Sequence, residues 1–349
     1  MIKYLSIGKS EKRTDKPFDR LRNVAVIAFG QTKLFREPLA GLMHFCIFWG
    51  FVILLLAIIE SLGEGINPGF TLSFLGVLYP PLIFLQDVFG ILVIGSCLFA
   101  LVRRHIFKPA RLDVDRHAKI DATIILVIIL LIMCSMFLQN AAYISRGIDK
   151  TSESRFLSCA LASIFENVPE AQQEFWLDFF WWFHILLVLG FLNYLPFSKH
   201  LHILSSIPNV YLAKLDARGT LQALNLQDEK ATRFGVADVE DLTWKNLLDG
   251  YTCTECGRCT ASCPAAITGK PLSPKKIIVD VRQRLMEKGP LAVSGVTLES
   301  LGEIQGNGKH PLQKQLIDDY ITEDELWACT TCMACVQECP VMIEHVDAI

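Results

Sequence analysis

Eight of the twelve cysteines stand in two cassettes, CTECGRCTASCP at 253–264 and CTTCMACVQECP at 329–340. Each reads C-x2-C-x2-C-x3-C-P. Three cysteines at intervals of three wrap a loop around one face of a four-iron cube, and the fourth, followed by proline, projects elsewhere. In proteins with two such cubes that fourth cysteine ligates the other one. The spacing therefore assigns Cys253, Cys256, Cys259 and Cys339 to one [4Fe-4S] cluster, and Cys329, Cys332, Cys335 and Cys263 to a second. Zinc is the weaker alternative, because structural zinc takes two pairs of ligands on separated knuckles. Gly257 and the matching Met333 sit inside the loops, where a small residue lets backbone amides approach the sulfides and Met333 makes the second site bulkier. Pro264 and Pro340 turn the chain away.

Histidines at membrane depth are the second set of chemically capable residues, since an ionisable group inside a span is a functional hypothesis by default. His44 lies a turn and a half into the first apolar stretch, and His184 lies near the outer end of the fourth. If the fourth helix continues through SKHLHIL, His202 stands 18 residues beyond His184. That is about five turns, or ~27 Å, so both rings would point the same way. Paired imidazoles from two helices are what a low-spin haem b in a bundle requires. His44 and His202 share one membrane end and form the expected pair, with His200 as competing ligand. His184 has three readings: a second haem through Met133 or Met136, a hydrogen bond to a quinone, or an interhelical bond. For His105 and His117, among Arg103, Arg104, Lys108 and Arg116, headgroup contact is the expectation. Asp87 and Glu60 read as interfacial acids, and Cys46, Cys97 and Cys134 as inert small apolar residues.

These groups need lipid and water around them. The 349 residues are 52% hydrophobic and 20% charged, with a mean hydropathy of +0.37. A hydrocarbon core of ~30 Å needs about 20 helical residues, and residues 39–60, 81–102, 120–142 and 176–197 qualify. The 66–79 stretch, with Pro68 and Gly69, reads as a lipid-surface or re-entrant piece. Lys and Arg number nine in the first 38 residues, none at 61–80 and six at 103–119. Both termini are therefore expected on the cytoplasmic side. The N-terminus lacks the apolar core of a signal peptide. Residues 17–35 read either as a helix along the inner membrane surface or as an ordinary exposed helix. A net charge of −3 without a basic block gives no support for nucleic acid, and metal ligation in a reducing compartment fits the cysteines better than disulfides.

The expected organisation is all-α: an N-terminal segment at 1–38, a four-helix transmembrane bundle at 39–206, and an α-helical two-cluster ferredoxin domain at 207–349. Sixty-five residues separate Cys263 from Cys329, too many for a compact β-ferredoxin. PKKIIVDVRQRLMEKG predicts an amphipathic helix ending at Gly289, and the glycine-rich GEIQGNGKHP follows it.

GLMHFCIFWGF (41–51), WWFHILLVLGFLNYLPFSKHLHILSSIPN (181–209), YTCTECGRCTASCPAAITGKPLSPKKII (251–278) and LWACTTCMACVQECPVMIEHVDAI (326–349) resemble the membrane-bound haem b and iron-sulfur proteins related to heterodisulfide reductase. These include the electron transfer flavoprotein:menaquinone oxidoreductases. The membrane part also resembles the haem-bearing gamma subunit of respiratory nitrate reductase, which supports His44, His184 and His202. The resemblance fails at a fourth haem ligand, where the first span has Leu54 and its neighbours but no second histidine. Family members continue into cysteine-rich CCG domains, so either this is a fragment or that module is a separate subunit.

The resemblance implies a multi-pass protein of the cytoplasmic membrane. It would carry electrons between a soluble donor, such as electron transfer flavoprotein, and menaquinone through two [4Fe-4S] clusters and haem b. Two alternatives stand beside it: a menaquinol-oxidising subunit feeding a heterodisulfide or sulfur-handling reductase, and a non-turnover iron-sulfur membrane anchor.

Overall fold

The computed structural model describes residues 1–67, 69–112, 116–149, 151–217, 219–221, 226–227, 229, 234–297 and 309–349. Pro68 and most of the glycine-rich 302–311 stretch therefore lie outside the described residues. Among those described, the secondary structure is helical, with two isolated β-bridges and no strand. The chain divides into two compact units, Leu34–Ser198 and Met1–Lys33 with Lys199–Ile349.

Four long helices build the first unit. We label α1 Pro17–Asn23, α2 Pro38–Ile66, α3 Tyr79–Val102, α4 Arg116–Ser145, α5 Phe156–Ala162, α6 Glu170–Tyr194, α7 His202–Tyr211, α8 Trp244–Thr252 and α9 Pro274–Val293. Helices α2, α3, α4 and α6 each supply most of a stretch long and apolar enough to cross a membrane. Their faces meet through small residues: a Cβ on Gly50 of α2 would stand 2.4 Å from Val93 Cγ2 of α3. Leu54, Val93, Cys97, Leu126 and Met133 form the core of that contact. The 66–79 stretch becomes a 3-10 turn, Leu72–Leu78, leading directly into α3.

Two acids in this unit anchor neighbouring segments. Asp87 is fully buried rather than interfacial. It accepts hydrogen bonds at 2.7 Å from the Leu157 N–H and the Ser158 hydroxyl, so it caps the first turn of α5 from another helix. Glu60 accepts from Thr71 Oγ1, Leu72 N–H and Tyr79 Oη at 2.6–2.8 Å, fastening the 3-10 turn to α2.

In the second unit α9 is the central element. Ile277, Val281 and Leu285 recur at helical spacing and, with Ile278, are fully buried. This helix runs past the expected stop at Gly289 to Val293, because Pro290 gives up one N–H and the chain still completes another turn. The first residues of the protein fold into this unit. Lys9 N–H donates to Leu242 O and Trp244 N–H to Lys9 O, at 2.8 and 3.1 Å. Gly8 permits that approach, since a Cβ there would lie 2.8 Å from Trp244 N. Arg20 of α1 is buried and donates to the carbonyls of Tyr211 and Ala213, while Phe18 and Leu21 on the same helix are exposed, so one face of this stretch is anchored and the other stays open.

Candidate iron-sulfur centre and membrane histidines

The two cassettes fold alike. Glu255 and Thr331, each two residues after a first cysteine, have φ +56° and +51°. Gly257 and Met333 follow in the left-handed region and start the short helices Arg258–Ala261 and Ala334–Glu338. Such left-handed turns aim successive N–H groups into the loop, where anionic sulfurs gather. Thr331 N–H donates to Cys329 Sγ at 3.4 Å and Ile343 N–H to Cys339 Sγ at 3.3 Å.

Side-chain placement brings thiols of the two cassettes together. Cys259 lies within electrostatic range of Cys339, Cys253, Cys256 and Cys335, and Cys253 and Cys339 pack together against Ile278 and Ile343. Cys263, Cys329, Cys332 and Cys335 line one cavity with Leu272 and Met333. The short helices carrying Cys259 and Cys335 meet at Val346, which brings the two cassettes side by side. Among the described residues no three His, Cys, Asp or Glu side chains converge tightly enough for one metal ion. A four-iron cube instead needs its thiols spread around a larger body.

Electrostatics fit that group. Burial pushes the Cys253 thiol up to about 11 and those of Cys335 and Cys339 to about 12, and raises Cys259 as well, with neighbouring thiols adding to the effect. Thiols so placed give up their protons only to a cation that replaces them, which is what iron does.

Positive charge stands nearby from elements no motif marks. Arg282 of α9 donates to Cys253 O at 3.1 Å and pairs with Glu255. Lys33 Nζ donates to Val336 O and Cys339 O at 3.3 and 3.1 Å, and Arg258 donates to Lys33 O at 2.8 Å. A lone lysine in an apolar stretch carries no sequence signal for such a role. A buried ionic network braces the same region. Lys245 bonds Asp249 at 2.7 Å, Asn209 donates to Asp249 and to Val341 O, and Arg13 meets Glu344 through two hydrogen bonds of 3.1 and 2.8 Å.

The histidines fall into different units. His44 is half-buried in α2 of the membrane-type unit. His202 begins α7 in the other unit, and its Nδ1 donates to Lys199 O at 2.9 Å, the tautomer that makes Nε2 the coordinating atom. Burial holds its imidazole below the ordinary value. The rings of His200 and His202 meet edge to face at 5.2 Å. The condition for aligning His184 with His202, a helix continuous between them, is not met. Helix α6 ends at Tyr194, a 3-10 turn follows through Pro196, and Ser198 is extended at φ −113°, ψ 169°. Proline lacks the N–H that would carry the helix on. His184 Nδ1 lies 2.9 Å from Ser135 Oγ, whose hydroxyl donates to Ile132 O, so the imidazole N–H donates to the serine and ties α6 to α4.

The paired cysteine cassettes lie in a chain that also carries four apolar, membrane-length helices. Residues 245–340 match the 4Fe-4S dicluster domain. The chain is similar to the probable iron-sulfur-binding oxidoreductase FadF of Bacillus subtilis, 34% identical over all of this chain and 51% of that protein. It is similar to the EtfAB:quinone oxidoreductase of Syntrophomonas wolfei, 33% identical over 97% of this chain and 49% of that one. An iron-sulfur subunit of the CoB–CoM heterodisulfide reductase of Methanopyrus kandleri is 31% identical over 30% of this chain and 38% of its own length. The resemblance to heterodisulfide reductase-related proteins is thus carried by homologues. The chain spans about half the length of the first two relatives. No solved structure matches it.

Proposed function

We propose that the protein conducts electrons between a soluble redox protein, with electron transfer flavoprotein as first candidate, and menaquinone in the bilayer. The observation carrying this reading is the mixing of the cassettes: Cys263 lines one cavity with Cys329, Cys332 and Cys335, and Cys253 packs with Cys339. Similarity to an EtfAB:quinone oxidoreductase along 97% of the chain supports the choice of partners. Cys253, Cys256, Cys259 and Cys339 would hold one [4Fe-4S] cluster, and Cys329, Cys332, Cys335 and Cys263 the other. Residues 207–349 would form the ferredoxin domain on the cytoplasmic side, and 39–206 the haem b domain, with His44 and His202 as axial ligands. The tautomer of His202 suits coordination, and His184 would take the same tautomer through Ser135.

When bound, these groups supply one-electron carriers. The chain's own residues bury Cys253, Cys259, Cys263, Cys335 and Cys339, aim N–H groups at sulfur, and set Arg282 and Lys33 where added negative charge would fall. A positive charge beside a site that gains an electron favours its reduced form.

The test is anaerobic reduction of the purified full chain by electron transfer flavoprotein, with cluster and haem absorbance followed while a menaquinone analogue is added. Reduction followed by quinone-dependent reoxidation is expected. Clusters that accept electrons while the quinone causes no reoxidation would overturn the reading, as would a spectrum without b-type haem bands.

A further inference from the structure

At the turn between the second and third candidate spans lies a cavity of about 400 Å3 that electron transfer does not use. Arg104, His105, Lys108, Lys119 and Thr123 line it. Arg103 and Arg111 both converge on one carboxylate oxygen of Glu37, at 3.0 and 2.5 Å. Among the described residues no carboxylate meets half-buried Arg104, whose charged neighbours are those same two arginines. Between 103 and 119 the sequence sets Asp113 and Asp115, which lie outside the described residues, against six Lys and Arg. A concave site of this composition favours an anion.

Backbone and neighbours narrow its chemistry. Arg103–Phe107 forms a π-turn closed by Lys108 N–H to Arg103 O at 3.0 Å, and Lys108 adopts φ +43°. His105 Nε2 donates to Thr123 Oγ1 at 3.1 Å, and that hydroxyl donates to Lys119 O, tying the two span ends together at the rim. Ile106 and Phe107 are 69% and 70% exposed, and Ile120 and Ile124 continue an exposed apolar track along α4. The stretches Leu72–Phe107 and Arg116–Ser145 end here, at the depth where a bilayer places its headgroup phosphates.

We propose that this cavity binds the phosphodiester of an anionic phospholipid, whose acyl chains follow Ile106, Phe107, Ile120 and Ile124. Inorganic phosphate shares the charge but gains nothing from the apolar track.

The full chain in mild detergent is titrated with labelled phosphatidylglycerol and with labelled phosphatidylcholine, and inorganic phosphate is added as competitor. Phosphatidylglycerol is expected to saturate at one per chain and to bind at least roughly tenfold more tightly than phosphatidylcholine. Millimolar phosphate is expected not to displace it. Each cation removed near an anionic headgroup costs roughly fivefold, so Lys108→Asn with Lys119→Gln should weaken binding about 25-fold. Both side chains are exposed and asparagine tolerates the left-handed backbone, so iron content and elution serve as folding controls. Equal affinity for the two lipids would overturn the proposal without any variant. Binding unchanged in the double variant, or displacement by inorganic phosphate, would do the same.

Discussion

Met333 repeats the backbone of Gly257, at φ +61°, ψ 7° against φ +74°, ψ 3°. One cassette meets a left-handed position with the residue suited to it, and the other holds a side chain there that costs about 1–2 kcal/mol. Gly257→Ala is accordingly expected to lose about 1–2 kcal/mol. Met333→Gly removes the same strain, so it should lose less than half as much or gain. Thermal bleaching of cluster absorbance in the two variants measures the difference, and equal losses would refute the backbone account.

Crossing of the fourth cysteine between cassettes gives a test of the ligand sets. Cys339→Ser should damage the cluster of Cys253, Cys256 and Cys259 while sparing that of its own cassette. Iron should fall from about eight atoms per chain to about four, with one paramagnetic signal lost on reduction. Cys263→Ser should remove the other signal. If each substitution abolished the cluster of its own cassette, the crossed assignment would fail.

Arg284 is fully buried and holds Asp238 through Nε and Nη2 at 2.8 and 2.6 Å, while donating to the carbonyls of Pro311 and Lys314. Removing one partner of such a pair leaves an uncompensated buried charge. Arg284→Leu is expected to cost about 3–5 kcal/mol. Adding Asp238→Asn should recover part of the loss, read as the midpoint of heat-induced bleaching in a double-mutant cycle.

His345 supplies a pH dependence. Burial pushes its imidazole down to about 4, and the positive charges of Lys33 and Lys245 act the same way. An unfolded histidine titrates near 6.5. Stability from this group is therefore full above about pH 6.5 and is lost as pH falls toward 4, because the unfolded chain takes up a proton that the folded one refuses. The loss reaches about 2 kcal/mol near pH 5. His345→Gln should flatten the fall of the bleaching midpoint between neutral pH and pH 5, and an unchanged slope would exclude this origin.

Local rules made part of the architecture legible. Length and apolarity alone marked α2, α3, α4 and α6, and cysteine spacing marked the dicluster domain. What escaped depended on partners distant in sequence. Nothing about Asp87 announces that Leu157 and Ser158 will meet it inside the protein, and nothing about Gly8 announces Trp244. The break at Ser198 is written in Pro196, at the end of the apolar run 176–197. Lys33 and Arg282 acquire their place beside the cysteines through packing of α9 and the N-terminal arm, which no periodicity encodes.

The salt link of Arg13 to Glu344 has a consequence for biosynthesis. The unit that houses the cysteines takes in Met1–Lys33, is interrupted for the whole membrane-type unit, and resumes at Lys199. On the ribosome its closure must wait until Glu344 is made, because domains fold as units during synthesis and this one is not contiguous. The apolar helices are all translated before Arg13 has its carboxylate. Insertion into lipid thus precedes closure around the metal, and iron loading becomes a late event of maturation.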